Sequence, residues 1–480
     1  MKVITSIIIA CLISISLAHA QSYQPKIEPF ACTIKVGEGV IARCGYLIVP
    51  ENRQKVNGRQ IKIPFLFVRK ATADSTQNIS LYTTGGPGYS TIANIDQVTT
   101  SSGFLKYGGF IAFDQRGTKK SIPALDCPEV EQAIKQAYRQ NLPKEPMVLA
   151  AVKFCRKKFT DQGIDLSAYN TIESAADIAD LKKTLQIKSM TLVGISYSGG
   201  LMLTVARNHP EGIKALVLNS PLPGFVNYEE NGLFNMNEAL NQIFDNCEAD
   251  SINQVLYGDL RKRFQQYFKE ITGKKFKLDY IEKGTDKTIA ISYGKQELLD
   301  AIIDRMDNSR LKSVPFVMQE IINGKHEPYV KEVIDNVFNG NQSLSLGMRY
   351  SIYCSEQIAY ADPVLIQKQE EILPWFKGYG FNNVNHPICD CWNVKSEDKS
   401  AKTPVYSDIP VLVSAGDADP WCRPFYNMLI KRTMPNSQLL LIHNRAHGSG
   451  FNINGVDYLE MFMRNPYQKI VSQSKDLKVE

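Results

Sequence analysis

Apolar and polar positions along this chain follow two regimes. From residue 40 to about 220, short runs rich in Val, Ile, Leu and Phe alternate with stretches whose apolar residues recur every three or four positions. Residues 40–49 and 60–68 alternate well enough to be early antiparallel strands, and buried strands are predicted at 78–84, 109–114, 190–196 and 214–219. Residues 171–181 carry apolar positions at helical spacing behind an acidic first turn, which predicts the helix before the strand at 190. Between Pro221 and about Thr403 the alternation stops, and charged helical patterns take over at 260–271, 296–305 and 330–337. Strand patterns resume at 409–415 and 437–442, and residues 477–480 read as a frayed tail. Such a chain implies an α/β class protein, a doubly wound, mostly parallel sheet interrupted by a largely helical insertion. The expected partition is a sheet domain from 21–224 and 404–480, with 225–403 as a cap above it.

Candidate chemistry changes this picture at residues 190–200. The apolar run ends in Gly194, Ile195 and Ser196 and flows into the helical run 201–207, which predicts a strand, a sharp turn and a helix with a serine at the apex. Small residues must flank such a serine because the backbone packs tightly there, and its hydroxyl then stands beside the free N–H groups of a helix start. Ser196 is the candidate nucleophile. Gly-x-Ser-x-Gly is broken at one place, since Ser198 stands where the second glycine belongs and Gly199 and Gly200 follow. A shifted reading makes Ser198 the nucleophile, but the β run then overshoots and Gly194 loses its place in the turn.

A serine needs a base and an orienting acid, expected downstream in the order Ser, Asp/Glu, His. The strand at 409–415 runs into Asp417, Ala418, Asp419 and Pro420, and the strand at 437–442 leads into His443 through Gly448. Asp419 and His447 are the preferred acid and base. Asp417 and His443 compete, although His443 sits at the strand end, where a packed role suffices. An oxyanion site is expected from the Tyr197 N–H and an N–H of the Gly85 and Gly86 turn, where the strand at 78–84 breaks into Gly85, Gly86, Pro87 and Gly88.

At this point several spaced motifs resemble one family. Thr84-Gly-Gly-Pro-Gly88, Asp114-Gln-Arg-Gly117, Gly194-Ile-Ser-Tyr197, Asn208-His-Pro-Glu-Gly212, Gly416-Asp-Ala-Asp-Pro420 and Ala446-His-Gly448 look like the α/β-hydrolase serine peptidases of the proline iminopeptidase and tripeptidyl aminopeptidase group. The resemblance runs from about residue 30 to 450. It implies an α/β-hydrolase fold, no cofactor and no metal, and a peptide substrate with a free N-terminus. Two positions depart from the family pattern: Thr84 replaces a usual His, and Ser198 a usual Gly. An exopeptidase must also hold the substrate's α-ammonium with a negative group. Glu229, Glu230 and Glu356 are the candidates, and Glu356 is preferred because it stands two residues from Cys354 in a Cys-x-acid pattern resembling the family's cap. A carboxylic-ester hydrolase would use the same triad, and a binding protein on an inactive scaffold is the reading from another class.

Residues 1–20 carry one basic residue, an apolar run from 3 to 17 and Ala18-His19-Ala20, which predicts a signal peptide cleaved after Ala20 and a secreted or periplasmic protein. Cys11 lies inside the apolar run rather than after it, which disfavours a lipid anchor. No other stretch approaches ~18 uninterrupted apolar residues, so no stable membrane insertion is expected. The net charge of +6 is spread over 55 basic and 49 acidic residues without a basic, aromatic-interleaved stripe, which argues against a nucleic-acid partner. Of ten cysteines, nine would remain after cleavage. Cys32 with Cys44 would staple an N-terminal hairpin, and Cys127 with Cys155 would close an excursion after Gly117. The family resemblance implies Cys354 with Cys389 or Cys391, and Cys422 with the other, leaving Cys247 unpaired. His443 and His447, and Cys389 and Cys391, have spacings that could suggest metal, but loop context and the lack of a second pair argue against it.

Overall fold

The computed structural model describes residues 23–480, so the predicted signal peptide and Cys11 lie outside the described residues. Ten strands form one sheet: β1 (Lys26–Phe30), β2 (Val40–Pro50), β3 (Gln60–Lys70), β4 (Ile79–Thr83), β5 (Gly109–Phe113), β6 (Met190–Ser196), β7 (Ile213–Pro221), β8 (Val411–Gly416), β9 (Ser437–Ile442) and β10 (Leu477–Val479). Their order is β1-β2-β3-β5-β4-β6-β7-β8-β9-β10. The run from β5 through β4, β6, β7 and β8 to β9 is parallel, flanked by antiparallel β1, β2 and β3 on one side and β10 on the other.

The central strands are apolar on both faces because helices cover both. Leu192 of β6 points into one buried cluster with Leu201 and Val205, while its neighbour Val193 joins Leu440, Tyr458 and Phe462 on the opposite face. Strands buried twice read as near-continuous hydrophobic runs, which is why the sequence betrays them. The helix expected at 171–181 spans Thr171–Thr184, started by the Asn170 side chain, which accepts the Glu173 N–H.

One expectation is corrected. Residues at the C-terminus do not fray: Leu477, Lys478 and Val479 pair with Ile442, Leu441 and Leu440 and complete the sheet edge. The segment between β7 and β8 is largely helical, as expected, and also holds an antiparallel hairpin, Phe276–Ile281 with Thr288–Tyr293. The predicted helices there span Leu260–Glu270, Lys295–Ile303 and Glu327–Asn339. A second excursion, the helices Pro128–Gln140 and Lys144–Asp161 between β5 and β6, packs against the hairpin and against Glu327–Asn339.

Cys32–Cys44, Cys127–Cys155 and Cys354–Cys389 are disulfides, while Cys247, Cys391 and Cys422 are unpaired. The expected bond between Cys422 and Cys391 is therefore corrected. Cys389 takes Cys354, and the Cys422 sulfur instead lies buried 3.8 Å from Ser196 Oγ.

Candidate active site

β6 ends in a turn that only small neighbours permit. Ser196 has φ 56° and ψ −128°, a strained conformation for a residue with a side chain, at the start of the helix Tyr197–Asn208. A Cβ on Gly194 would lie 2.7 Å from the Ser198 carbonyl oxygen, and one on Gly199 would lie 2.5 Å from Pro221 Cβ. Ser198 is fully buried; its hydroxyl donates to the Thr83 carbonyl at 2.7 Å and accepts the Ile195 N–H at 2.9 Å. It ties the underside of the turn to β4, so the shifted reading fails. Ser196 instead faces a cleft of about 1050 Å³ that His447 also lines.

His447 Nδ1 is 2.9 Å from Asp419 Oδ2, and Asp419 Oδ1 accepts the N–H groups of Trp421 and Cys422, both at 2.9 Å. Burial alone would raise the Asp419 pKa, but the attraction of His447 and these hydrogen bonds outweigh it and hold the carboxyl below its ordinary value. For the imidazole, burial opposes protonation, and the Asp419 charge overcomes it and lifts His447 well above the usual histidine range. Arg423 braces the acid's turn by donating to the carbonyls of Asp417 and Asp419 at 2.9 and 3.0 Å. On the sheet side, Ser220 Oγ accepts the Gly448 N–H at 3.2 Å and Asn219 Oδ1 accepts the Gly450 N–H at 3.1 Å. Asp419, Cys422 and His447 bring donor atoms within 4.8 Å of one another, as a metal site would, but both Asp419 oxygens are already engaged. His443 pairs with Asp417 at 2.6 Å on a half-exposed edge outside the cleft lining, so the competing base stands apart from Ser196.

The Gly85 and Gly86 turn packs directly on this elbow. A Cβ on Gly85 would lie 2.6 Å from the Ile195 carbonyl oxygen and 3.0 Å from Ser196 Cβ, and Gly86 sits at φ 121°. Tyr197 opens the helix, so its N–H has no intrahelical acceptor and stands beside this turn. The Asp114 motif braces it from below. Asp114 accepts the N–H groups of Thr91 and Ile92 at 2.6 and 3.0 Å, Gln115 donates to the Thr84 carbonyl at 2.8 Å, and Arg116 makes a fully buried bidentate pair with Asp177.

Of the three expected ammonium anchors, the structure brings one into the cleft. Glu229 lines it and accepts from Asn382 Nδ2 at 2.7 Å. Burial pushes its carboxyl up to about 7, against the opposing pull of Asn382 and Arg349. Arg349 Nη2 donates to Asn382 Oδ1 at 2.7 Å and its Nη1 to the Gly86 carbonyl at 3.0 Å, so a short chain of contacts joins Glu229 to the glycine turn. Glu356 is corrected: it lies outside the cleft lining, buried, accepting the Thr171 N–H at 2.6 Å and the Thr171 hydroxyl at 2.7 Å. Thr171 Oγ1 in turn meets Tyr197 OH at 2.7 Å, so Glu356 anchors the underside of the helix start. Glu230 is corrected too, because its carboxylate accepts the Asp362 N–H at 2.7 Å outside the cleft.

A family model described as alpha/beta hydrolase fold matches residues 109–451. The chain belongs to the α/β-hydrolase fold family. Among curated proteins, this hydrolase-fold chain is 26% identical over 188 residues to a tripeptidyl aminopeptidase of Streptomyces coelicolor and 26% identical over 185 residues to a putative hydrolase of Escherichia coli. Each alignment covers 37% of this chain and 35% of the relative, so the chain matches about a third of the length of these proteins. A solved structure described as Est816, an N-acyl homoserine lactone degrading enzyme, aligns at TM-score 0.35 and 13% identity over 84% of this chain and 95% of that one.

Sequence reasoning on this α/β-hydrolase chain missed several cleft residues. Asp300 and Asp304 from Lys295–Ile303 and its end, Arg349 and Tyr353 from Leu346–Glu356, and Ile134 and Val148 from the earlier excursion all line it. Only the helical spacing of Arg349 and Tyr353, four apart and on one face, offered a signal. Asp300 is half-buried and its carboxyl is raised to about 7, first by loss of solvent and then by neighbouring Asp304.

Proposed function

We propose that this chain is a serine hydrolase that cleaves short peptides from a free N-terminus, a tripeptidyl- or prolyl-aminopeptidase-like activity. Ser196 attacks the scissile carbonyl, with His447 taking its proton and later giving it to the leaving amine. Asp419 fixes the imidazole through Nδ1, which leaves Nε2 for the reacting groups. The N–H groups of Tyr197 and of the Gly85 and Gly86 turn receive the developing oxyanion, and water then hydrolyses the acyl-enzyme. The cap, residues 225–403, closes over the substrate and supplies the pocket. The three disulfides suit a secreted or periplasmic enzyme.

The observation that carries the peptidase reading is Glu229, a half-buried carboxylate that lines the same cleft as Ser196 with Asn382 and Arg349 beside it. An α-ammonium is the group that such a carboxylate would accept. The similarity to a tripeptidyl aminopeptidase over a third of the chain supports the same class.

The test is kcat/KM of the wild-type protein and Ser196→Ala on one short chromogenic peptide, with its N-terminus free and acetylated. Ser196-dependent cleavage of both forms is expected, with the free form strongly preferred. Equal cleavage of both forms would turn the reading to an ester-type or endo-acting hydrolase, and Ser196→Ala that retains activity would remove the serine from its role.

A further inference from the structure

Residues of the insertion that line the cleft are continuous with one that grips the loop carrying His447. The helix Lys295–Ile303 presents Asp300 and Ile303 to the cleft, with Asp304 beside them, and the chain then turns at Asp307 to Arg310. Asn308 projects from that turn. Its Nδ2 donates to the Gly448 carbonyl at 2.7 Å and lies 3.4 Å from the His447 carbonyl, while its Oδ1 accepts the Ala446 N–H at 2.9 Å. One side-chain amide thus satisfies both its donor and its acceptor on three consecutive residues centred on His447. Asp307 and His447 also form a β-bridge.

The turn that carries Asn308 is itself braced. Asp307 Oδ1 accepts the N–H groups of Ser309 and Arg310 at 2.8 and 3.0 Å, and Arg310 donates to Asp307 Oδ2 at 2.7 Å and to Glu332 on the helix Glu327–Asn339 at 2.9 Å. Ser220 and Asn219 hold Gly448 to Gly450 from the sheet. The His447 loop is therefore held from two sides, and its upstream half, Ala446 and His447, is held through the insertion.

We propose that Asn308 is a positioning residue for His447, through which the segment forming the cleft also sets the place of the base. The proposal rests on the Ser196, His447 and Asp419 reading of the site. Proton transfer is steep in distance, and a displacement of about 1 Å in a reacting group lowers turnover by roughly 100-fold.

The experiment compares Asn308→Ala and Asn308→Asp with wild type, Ser196→Ala and Lys312→Ala, an exposed change on the same segment. Asn308→Ala removes all three contacts. Asn308→Asp keeps an acceptor for the Ala446 N–H but turns a second carboxylate oxygen toward two carbonyls. Rates are expressed per active site, counted by an organophosphonate burst so that misfolded protein does not count, and for Ser196→Ala, which the reagent cannot label, per mole of folded protein. Both Asn308 variants should lose about 10- to 100-fold in kcat with KM within about 3-fold, the pattern of an interaction lost in the transition state. The rate of Ser196 phosphonylation should fall in parallel, and the acid limb of kcat/KM should move to lower pH as His447 loses part of its hold on Asp419. Lys312→Ala should match wild type. Unchanged kcat per active site in both Asn308 variants, beside an inactive Ser196→Ala, would overturn the positioning role and leave the serine reading intact; an active Ser196→Ala would overturn the serine reading itself.

Discussion

Glu229→Gln separates recognition of the substrate amine from chemistry at Ser196. Gln is isosteric and still offers an oxygen to Asn382 Nδ2, so the chain of contacts through Arg349 to the Gly86 carbonyl survives and the glycine turn keeps its place. What is lost is one negative charge. At about 4 Å and an effective dielectric of roughly 20, an ammonium and a carboxylate attract by about 4 kcal/mol. The neutral amide recovers about 1 kcal/mol as an ordinary hydrogen bond, and the remaining desolvation of the pair trims the difference to about 2–3 kcal/mol. Free-amine peptides should therefore lose roughly 30- to 150-fold in kcat/KM, while N-acetylated ones change by less than about 3-fold. The pH dependence carries the same signature. Burial raises the Glu229 carboxyl to about 7, so the charged form that would bind an ammonium fades as pH falls through that value. Above about 8 the substrate's own α-amine loses its proton. The ratio of kcat/KM for free over acetylated substrate cancels the shared titration of His447, and it should rise through about 7, fall above about 8, and lose its acid limb in Glu229→Gln. Equal losses on both substrates, or a ratio flat with pH in the wild type, would refute the amine assignment.

Two further outcomes follow from the geometry. Asp419→Asn removes the charge that raises His447 and presents the wrong tautomer to Nδ1, so kcat should fall by about 10³- to 10⁴-fold with the melting temperature nearly unchanged; a larger effect from Asp417→Asn would move the acid to the His443 pair. Glu356→Gln weakens a buried acceptor of two Thr171 donors and should destabilise the protein by about 1–3 kcal/mol in denaturant titration, lowering activity equally on free and acetylated peptides; a loss confined to free-amine substrates would return Glu356 to the role of anchor.

The sheet was legible because six parallel strands covered on both faces must be apolar at nearly every position, and their short length, β-branched content and flanking Gly and Pro distinguish them from buried helix. The elements missed are those whose burial comes from partners the sequence does not name. Leu477–Val479 is too short to show a period, and pairing with β9 makes it a strand. Phe276–Ile281 does alternate, with Leu278 and Tyr280 buried and Lys277 and Asp279 exposed, but it lies among charged helical segments that mask it. The Ser196, Asp419 and His447 set stood out because each residue follows the carboxyl end of a recognisable strand. The proposed amine anchor did not, since choosing among Glu229, Glu230 and Glu356 depends on which way each side chain turns. Glu356 lies at the end of Leu346–Glu356 and turns inward to Thr171, whereas Arg349 and Tyr353 of the same helix reach the cleft.

The two departures from the family pattern are compatible with an intact site because each new side chain is tied into hydrogen bonds near the Ser196 elbow, Ser198 to backbone groups and Thr84 to the Tyr82 hydroxyl. Where a glycine would leave a gap, Ser198 fills it and spends its hydroxyl on the Thr83 carbonyl and the Ile195 N–H, joining β4 to the turn that bears Ser196. The demand for glycine passes to Gly199 and Gly200, where a Cβ would lie 2.5 Å from Pro221 Cβ and 2.3 Å from the Leu222 carbonyl oxygen. Thr84 is similarly committed: its N–H donates to Thr91 Oγ1 at 2.9 Å, and its hydroxyl meets Tyr82 OH at 3.1 Å. Thr91 is in turn held by Asp114, so the strand end, the glycine turn and the Asp114 motif form one hydrogen-bonded unit beneath the Ser196 elbow. The buried Ser198 should therefore act through the rigidity of the turn, whereas Thr84 lines the cleft together with Arg349, Asn382 and Asp300 of the insertion, where a change of side chain meets the substrate directly.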